Sequence, residues 1–154
     1  MKTTALNILL ADDDSDDRLF FKEVLKEISL ATNLTTVANG EQLMLLLTNE
    51  NYELPDVLFL DLNMPRKNGF ECLTEIKQIE RLKTIPVVIF STSFEQEVVN
   101  LLYKNGAQYF VRKPSEFTQL KEIVEITVEL FLHKEIEKPT EDKFVLTLEN
   151  KSPE

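Results

Sequence analysis

The stretch NILLADDDSDDRLF, residues 7–20, joins a short apolar run to five aspartates and then to the start of a helical pattern. Two further apolar runs, DVLFL (56–60) and PVVIF (86–90), are nearly as continuous, which is typical of strands buried on both faces of a parallel sheet. Carboxylates that crowd the end of such a strand repel one another and raise each other's pKa unless a cation lies nearby. The run is therefore either a solvated acidic turn or a site that holds a cation.

Five strand-like runs alternate with five amphipathic helical patterns along the chain. The predicted strands cover residues 7–11, 34–38, 56–60, 86–90 and 109–111, and the predicted helices cover 16–28, 41–47, 70–79, 95–104 and 117–133. Strict alternation predicts an α/β fold with a parallel sheet and helices on both of its faces. In such sheets the functional crevice lies beyond the carboxyl ends of the strands.

Composition excludes several classes of function. The chain has 154 residues, which suits one domain, and its net charge of −10 argues against non-specific binding to nucleic acid or anionic membrane. Cys72 is the only cysteine, and we expect it to be a buried or half-buried thiol. The sequence contains no visible signal peptide and no apolar run approaching the roughly 20 residues of a membrane span, so we expect a cytoplasmic protein.

Side chains with useful chemistry follow four of the predicted strands. In strand order they are Asp12 and Asp13, Asp61, Ser91, and Lys113. A carboxylate at Asp61 is suited to accept a phosphoryl group as an acyl phosphate. Transfer onto an anion requires charge neutralisation, for which the two preceding aspartates are suited to hold a divalent cation. The ammonium and hydroxyl groups are suited to contact the phosphoryl oxygens.

Four segments of the chain carry a family resemblance. The chain resembles the receiver domain of bacterial two-component response regulators from about residue 8 to 132, in the segments ILLADDDS (8–15), FLDLNMPRKNGFECL (59–73), IPVVIFSTS (85–93) and GAQYFVRKPS (106–115). The resemblance implies a flavodoxin-like, doubly wound sheet of five parallel strands in the order 2-1-3-4-5. We place the receiver domain at residues 5–135. For the C-terminal extension, residues 136–154, an edge strand, packing on a helix and disorder all stay open.

The resemblance also implies the residues of a metal-dependent phosphorylation site. Asp61 would be the phosphoryl acceptor, and Asp12 and Asp13 would be the acidic pair that binds Mg²⁺ (or Mn²⁺), with Asp13 as the direct ligand. Asp61 itself and the backbone carbonyl of Asn63 would complete the metal site. Asp14 occupies a position that varies in the family, so it is given at most an outer-sphere role.

Further residues are implied in switching and in the lifetime of the phosphorylated state. Ser91 and Phe110 would form the switch pair, with Phe110 at a position that is often tyrosine, and Lys113 would be the cationic partner of the phosphoryl group. The Lys113–Pro114 bond would be cis, as in the family. Ser93, two residues beyond Ser91, would tune dephosphorylation together with the residue two beyond the acceptor.

The function that the resemblance implies is a phosphorylation switch. A histidine kinase or histidine phosphotransfer protein would donate the phosphoryl group, and the chain would signal by contacts with an unidentified protein target. It would catalyse only its own phosphorylation and dephosphorylation, so it is not expected to be an enzyme in the ordinary sense. No nucleic acid or membrane partner is expected, and whether the active form is a homodimer stays open. An intermediate carrier in a phosphorelay and an unphosphorylated pseudo-receiver scaffold are the alternatives.

Two chemical rivals are disfavoured by single residues. An aspartate-based phosphatase uses a second Asp two residues after its nucleophile, where this chain has Asn63, whose amide cannot transfer protons. An EF-hand calcium loop needs glycine at its sixth position, where this chain has Asp17. Asp16 and Asp17 are better interpreted as first-turn acids of a helix, with Asp14 or Ser15 as its cap.

Overall fold

Strands and helices alternate as predicted in the computed structural model, which describes residues 5–133 and 137–148. The strands are β1 (Leu6–Ala11), β2 (Thr32–Val37), β3 (Val57–Leu60), β4 (Val87–Ser91), β5 (Tyr109–Arg112) and β6 (Val145–Leu146). The helices are α1 (Ser15–Glu27), α2 (Gly40–Thr48), α3 (Gly69–Gln78), α4 (Gln96–Lys104) and α5 (Phe117–Leu132), and a short 3₁₀ helix covers Glu141–Lys143. Predicted and observed ends differ by no more than two residues for the ten predicted elements.

The six strands form one parallel sheet in the order β2-β1-β3-β4-β5-β6. The predicted flavodoxin-like sheet with the order 2-1-3-4-5 is confirmed, and the described residues add a short strand, β6, beside β5. β6 comes from the C-terminal extension and pairs Val145 with Phe110 and Leu146 with Val111 of β5. Of the alternatives left open for the extension, residues 137–148 show both the edge strand and packing on a helix, since Phe144 contacts Tyr103 of α4; residues 136 and 149–154 lie outside the described residues.

A hydrophobic layer lies on each face of the sheet, as predicted. α1 and α5 cover one face, where Phe21, Phe59 and Phe90 pack edge to face with ring centroids 5.0, 5.6 and 5.9 Å apart. α2, α3 and α4 cover the other face. Cys72 is buried there, and burial raises the pKa of its thiol to about 11. None of the helices in the described part of the chain is long and apolar enough to span a membrane.

The described part of the C-terminal extension, residues 137–148, packs along β5 and the end of α4. Phe144 is 1% exposed, and its ring lies 5.1 Å from that of Tyr103 at an angle of 70°. The backbone N–H of Phe110 donates a hydrogen bond to Phe144 O at 3.1 Å. The extension therefore covers the edge of β5, whose backbone groups would otherwise be unpaired within the sheet.

Candidate functional site

The carboxyl ends of β1, β3, β4 and β5 meet at one edge of the sheet. The parallel register pairs Ala11 with Leu60, Leu60 with Ile89, and Ser91 with Arg112. Residues at or just beyond these positions therefore converge in space, because neighbouring parallel strands end together. They are the residues that the sequence singled out: Asp12, Asp13, Asp61, Ser91 and Lys113.

Three carboxylates cluster at this edge. One oxygen from each of Asp12, Asp13 and Asp61 lies within 4.8 Å of the other two. Asp12 is 1% exposed and Asp61 is 6% exposed, whereas Asp13 lies open to solvent. Carboxylate oxygens are the ligands that hard divalent cations such as Mg²⁺ prefer, and water has access from the side of Asp13 to complete the coordination. The residues present therefore fit a divalent metal ion.

The Lys113 ammonium group lies close to two of these carboxylates, Asp12 and Asp61, and partly compensates their negative charge. Its side chain is 8% exposed, and Nζ lies 2.7 Å from Asp12 Oδ2, 2.9 Å from Asp17 Oδ2 and 3.6 Å from Asp61 Oδ2. The backbone positions this side chain, because Lys113 N donates a hydrogen bond to Ser91 O at 2.9 Å and so extends the pairing of β5 with β4. One cation thus lies close to carboxylates that follow β1 and β3 and to one in the first turn of α1.

Burial and mutual repulsion control the protonation of the site. Burial raises the pKa of Asp61 to about 7, because the attraction of Lys113 offsets only part of the desolvation and Asp12 adds repulsion. Burial also raises the pKa of Asp12, against the opposing effect of the hydrogen bond from Lys113. For Lys113, burial alone would lower the pKa, but the hydrogen bond to Asp12 and the attraction of Asp61 outweigh it. The Lys113 pKa therefore lies above its usual value, and the ammonium group stays charged.

The acidic run divides between this site and the start of α1, as predicted. Asp14 is the N-cap, since its carboxylate accepts hydrogen bonds from Asp16 N at 2.8 Å and Asp17 N at 3.3 Å. Ser15, the other predicted cap, is the first helical residue. Asp16 and Asp17 lie in the first turn, near the positive end of the helix dipole.

Asp17 has a second contact that the sequence interpretation missed. It lies four and seven residues before Phe21 and Val24, which are both buried, and residues at this spacing share one face of a helix. The inward face of α1 therefore brings its carboxylate to Lys113, whereas Asp16 is exposed. This helical periodicity is visible in the sequence, and it could have distinguished Asp17, on the inward face, from exposed Asp16.

The loop between β3 and α3 contacts both the end of β3 and Ser93, which follows β4. Asn63 N donates a hydrogen bond to Asp61 Oδ1 at 3.4 Å, and Asn63 Nδ2 donates one to Ser93 Oγ at 3.1 Å. Gly69 approaches so closely that an added Cβ would lie 2.3 Å from Asp61 O. Asn63 thus links the end of β3 to Ser93, which follows β4, and the β3–α3 loop requires a residue without a side chain where it returns to β3.

The predicted switch pair lies on the β4–β5 side of the site. Ser91 is fully buried, and its Oγ accepts a hydrogen bond from Ser93 N at 3.2 Å. Phe110 is also fully buried, in the layer beneath α4, and its ring meets that of Phe94 edge to face at 5.6 Å. The parallel register pairs Phe110 with Ile89, two residues before Ser91. Both residues are therefore held on adjacent strands below the acidic cluster.

The Lys113–Pro114 peptide bond corrects one expectation. The predicted cis form is wrong for this structure, because the peptide bonds of the described residues are trans throughout. An amide before proline prefers trans by only about 0.5–1 kcal/mol, so the surrounding contacts, not the residue type, select the isomer. With the trans bond, Lys113 still reaches Asp12, Asp17 and Asp61.

The sequence and the fold of this chain are similar to those of known proteins. The chain matches the model of the response regulator receiver domain over residues 8–125. It is 34% identical over 122 residues to the response regulator Rcp1 of Synechocystis sp., a match that covers 77% of this chain and 83% of the relative. The crystal structure of the phosphorylated cyanobacterial phytochrome response regulator RcpA is similar with a TM-score of 0.79 and 32% identity, covering 85% of this chain and 96% of that chain. The Mn²⁺-bound form of Rcp1 is similar with a TM-score of 0.76 and 32% identity, covering 88% and 99%.

Proposed function

Because the chain belongs to the response regulator receiver domain family, we propose that its Asp61 accepts a phosphoryl group from a histidine kinase or histidine phosphotransfer protein. The reaction depends on Mg²⁺, and the chain acts as a response regulator that signals through contacts with other proteins. The observation that carries the proposal is the position of Asp61, with Lys113 Nζ at 3.6 Å and carboxylate oxygens of Asp12 and Asp13 within 4.8 Å. As a signalling protein rather than a classical enzyme, the chain catalyses only its own phosphorylation and dephosphorylation.

The proposed metal ligands are the carboxylates of Asp12, Asp13 and Asp61 and the backbone carbonyl of Asn63. Their support is an all-oxygen donor set in which two of the three carboxylates are buried. The Mn²⁺-bound form of the relative Rcp1 also supports a divalent ion. When bound, Mg²⁺ neutralises charge on the phosphoryl oxygens and so makes transfer onto an anion feasible.

The transfer step requires Asp61 in its ionised form. A carboxylate oxygen of Asp61 attacks the phosphorus atom, and the bond between phosphorus and the donor's imidazole nitrogen breaks. That nitrogen keeps the electron pair and takes a proton from water, while Asp61 becomes an acyl phosphate. Lys113 keeps its proton and pairs with a phosphoryl oxygen, for which its raised pKa suits it. Since burial raises the pKa of Asp61 to about 7, ionisation near neutral pH depends on the cations around it.

The proposed output is a change in packing on the β4–β5 side of the site. The Ser91 hydroxyl donates a hydrogen bond to the new phosphoryl oxygen, and its movement changes the space available to Phe110 beneath α4. The surface formed by α4, β5 and α5 then differs between the two forms, so that a partner protein distinguishes them. Ser93, which accepts a hydrogen bond from Asn63, tunes dephosphorylation from the mouth of the site.

The test uses purified protein, Mg²⁺ and acetyl phosphate, with the intact mass as the measurement. We expect the wild type to gain the mass of one phosphoryl group and Asp61→Asn to gain none. Asp16→Asn is the matched control, because Asp16 is an exposed acid near the cluster but outside it, and it should behave as the wild type. An equal mass gain in Asp61→Asn would refute the acceptor, and no gain in the wild type would favour the pseudo-receiver scaffold.

A separate titration tests the metal ligands. Calorimetry with Mg²⁺ should give weaker binding for Asp13→Asn than for the wild type, with Asp16→Asn again as the control. Unchanged Mg²⁺ affinity in Asp13→Asn would contradict the metal assignment without touching the assignment of Asp61 as acceptor.

A further inference from the structure

The Lys113 ammonium group is held by two carboxylates besides the proposed acceptor. An ammonium group has three N–H donors. Asp12 Oδ2 and Asp17 Oδ2 lie at hydrogen-bond distance from Nζ, 2.7 and 2.9 Å away, whereas Asp61 Oδ2 lies at 3.6 Å. Two donors are therefore occupied by these carboxylates, and the third is left for the region of Asp61, where a phosphoryl oxygen would lie.

Asp17 and Asp12 differ in their contacts other than the one with Lys113. Asp12 belongs to the carboxylate cluster that fits a cation, and its Oδ1 also accepts a hydrogen bond from Asp14 N at 3.0 Å. Asp17 lies outside that cluster. If Asp12 turns its charge toward a bound cation, its pull on Lys113 weakens, and Asp17 becomes the contact that restrains the ammonium group.

The packing of α1 fixes the position of Asp17. Its side chain is 34% exposed, and it starts the face of α1 that continues into buried Phe21 and Val24. Its backbone N–H is itself bound by the capping carboxylate of Asp14. The position of the Asp17 carboxylate is thus set by a packed helix rather than by a mobile loop.

We propose that Asp17 is a positioning residue for phosphoryl transfer, which holds the Lys113 ammonium group so that its remaining N–H points at the phosphoryl group on Asp61. This inference rests on the proposed function, and it assigns Asp17 no contact with the phosphoryl group or the metal. A charge-assisted hydrogen bond that fixes a reacting group contributes on the order of tenfold in rate. The conservative amide keeps an acceptor oxygen at the same place, so it should preserve much of the effect.

The experiment compares Asp17→Ala and Asp17→Asn with the wild type. With saturating Mg²⁺ and acetyl phosphate, we expect the rate of phosphorylation to fall about tenfold in Asp17→Ala and no more than about threefold in Asp17→Asn. The Mg²⁺ affinity of both variants should stay within about twofold of the wild type, since Asp17 is outside the cluster. In a Lys113→Ala background, Asp17→Ala should have almost no further effect on the rate, because the residue acts through Lys113.

A second measurement does not depend on phosphorylation. In protein labelled with ¹⁵N at lysine, the Lys113 ammonium protons should exchange slowly with water in the wild type and in Asp17→Asn, and faster in Asp17→Ala. Unchanged exchange in Asp17→Ala would refute the restraint.

The rates distinguish the remaining outcomes. A wild-type rate in Asp17→Ala would refute the positioning role, and a faster rate in both variants would show instead that Asp17 repels the incoming phosphoryl group. Equal losses in Asp17→Ala and Asp17→Asn would assign the effect to charge and not to position. A wild type that takes no phosphoryl group would refute the proposed function itself, and the positioning role with it.

Discussion

The acidic site and the C-terminal extension treat polar groups in opposite ways. At the site, Asp12 and Asp61 are buried beside a single ammonium group, and burial raises the pKa of both. In the extension, Phe144 buries an aromatic ring, and the backbone groups of β5 and β6 pair as neutral partners. Uncompensated burial of charge opposes folding, whereas burial of a ring and pairing of neutral groups favour it. The comparison teaches that this chain bears a cost in stability at its site and gains stability at the covered sheet edge.

The largest expected effect tests whether the buried Asp61 carboxylate lowers or raises the free energy of unfolding. In metal-free buffer Asp61→Asn should be more stable than the wild type near pH 7, by up to about 4 kcal/mol. The native pKa of Asp61 is about 7 against a usual value of 3.8, so the native state binds more protons than the unfolded state between these values. The stability that this group contributes is therefore lost as pH rises from about 4 to 7.

Urea unfolding of both proteins at several pH values, with a chelator present, measures this difference. The advantage of Asp61→Asn should shrink toward pH 4, where Asp61 is protonated in the native state, and should also shrink when Mg²⁺ is added to the wild type. If Asp61→Asn is less stable than the wild type at pH 7 without metal, burial of the Asp61 carboxylate does not destabilise the folded state, and the contrast between the site and the extension is wrong.

The second effect tests the extension. Phe144→Ala should reduce the free energy of unfolding by about 3 kcal/mol, because Phe144 is fully packed against Tyr103 and the β5 edge. Phe20→Ala is the matched control, since Phe20 is 47% exposed and its loss should change stability by less than about 1 kcal/mol. Equal effects in urea unfolding of the two variants would show that the extension contributes little to the folded state.

The third effect sharpens the comparison within the site region by separating backbone fit from charge. Gly69→Ala should lower stability by about 2 kcal/mol, because the added Cβ would meet the backbone of Asp61 and Leu62 at 2.3 and 2.8 Å. It should also weaken Mg²⁺ binding, since relief of the clash moves the end of β3. Thermal unfolding and a Mg²⁺ titration measure the two effects, and wild-type values in both would contradict the proposed close fit.

The smallest effect tests one neutral hydrogen bond of the extension. Tyr103 Oη donates to Pro139 O at 2.8 Å, and Tyr103→Phe removes that bond while it keeps the ring against Phe144. We expect a loss of about 1 kcal/mol in urea unfolding. A loss as large as that of Phe144→Ala would mean that the hydrogen bond, rather than the apolar contact, holds the extension on α4.

Sequence periodicity predicted most of the architecture, and the reason is local. Continuous apolar runs such as Val57–Leu60 occur where both faces of a strand are buried, and the helical spacing of Phe21 and Val24 occurs where one face is. β6 stayed one of three open alternatives for the C-terminal extension, because its pairing with β5 depends on contacts between residues about 35 positions apart in the chain. The cis expectation at Pro114 failed for a related reason, since the residue type alone leaves both isomers within about 1 kcal/mol.

The candidate site was predicted in its members but not in its contacts. Residues at the carboxyl ends of parallel strands must converge, so Asp12, Asp61 and Lys113 could be grouped from the order of the strands. Which carboxylates accept hydrogen bonds from the Lys113 ammonium group could not be predicted, because that depends on where α1 places Asp17.

The amino-acid sequence by itself determined the alternating architecture, the strand order of the central sheet through the family resemblance, and the group of residues at one sheet edge. These follow from residue type and spacing, which act over one strand or one helix at a time. Only the tertiary structure decided that Asp17 joins Asp12 on Lys113, that Phe144 covers β5, and that the bond before Pro114 is trans. Those outcomes depend on the packing of elements distant in sequence, where distances of a few tenths of an ångström and the local balance of charge select one arrangement.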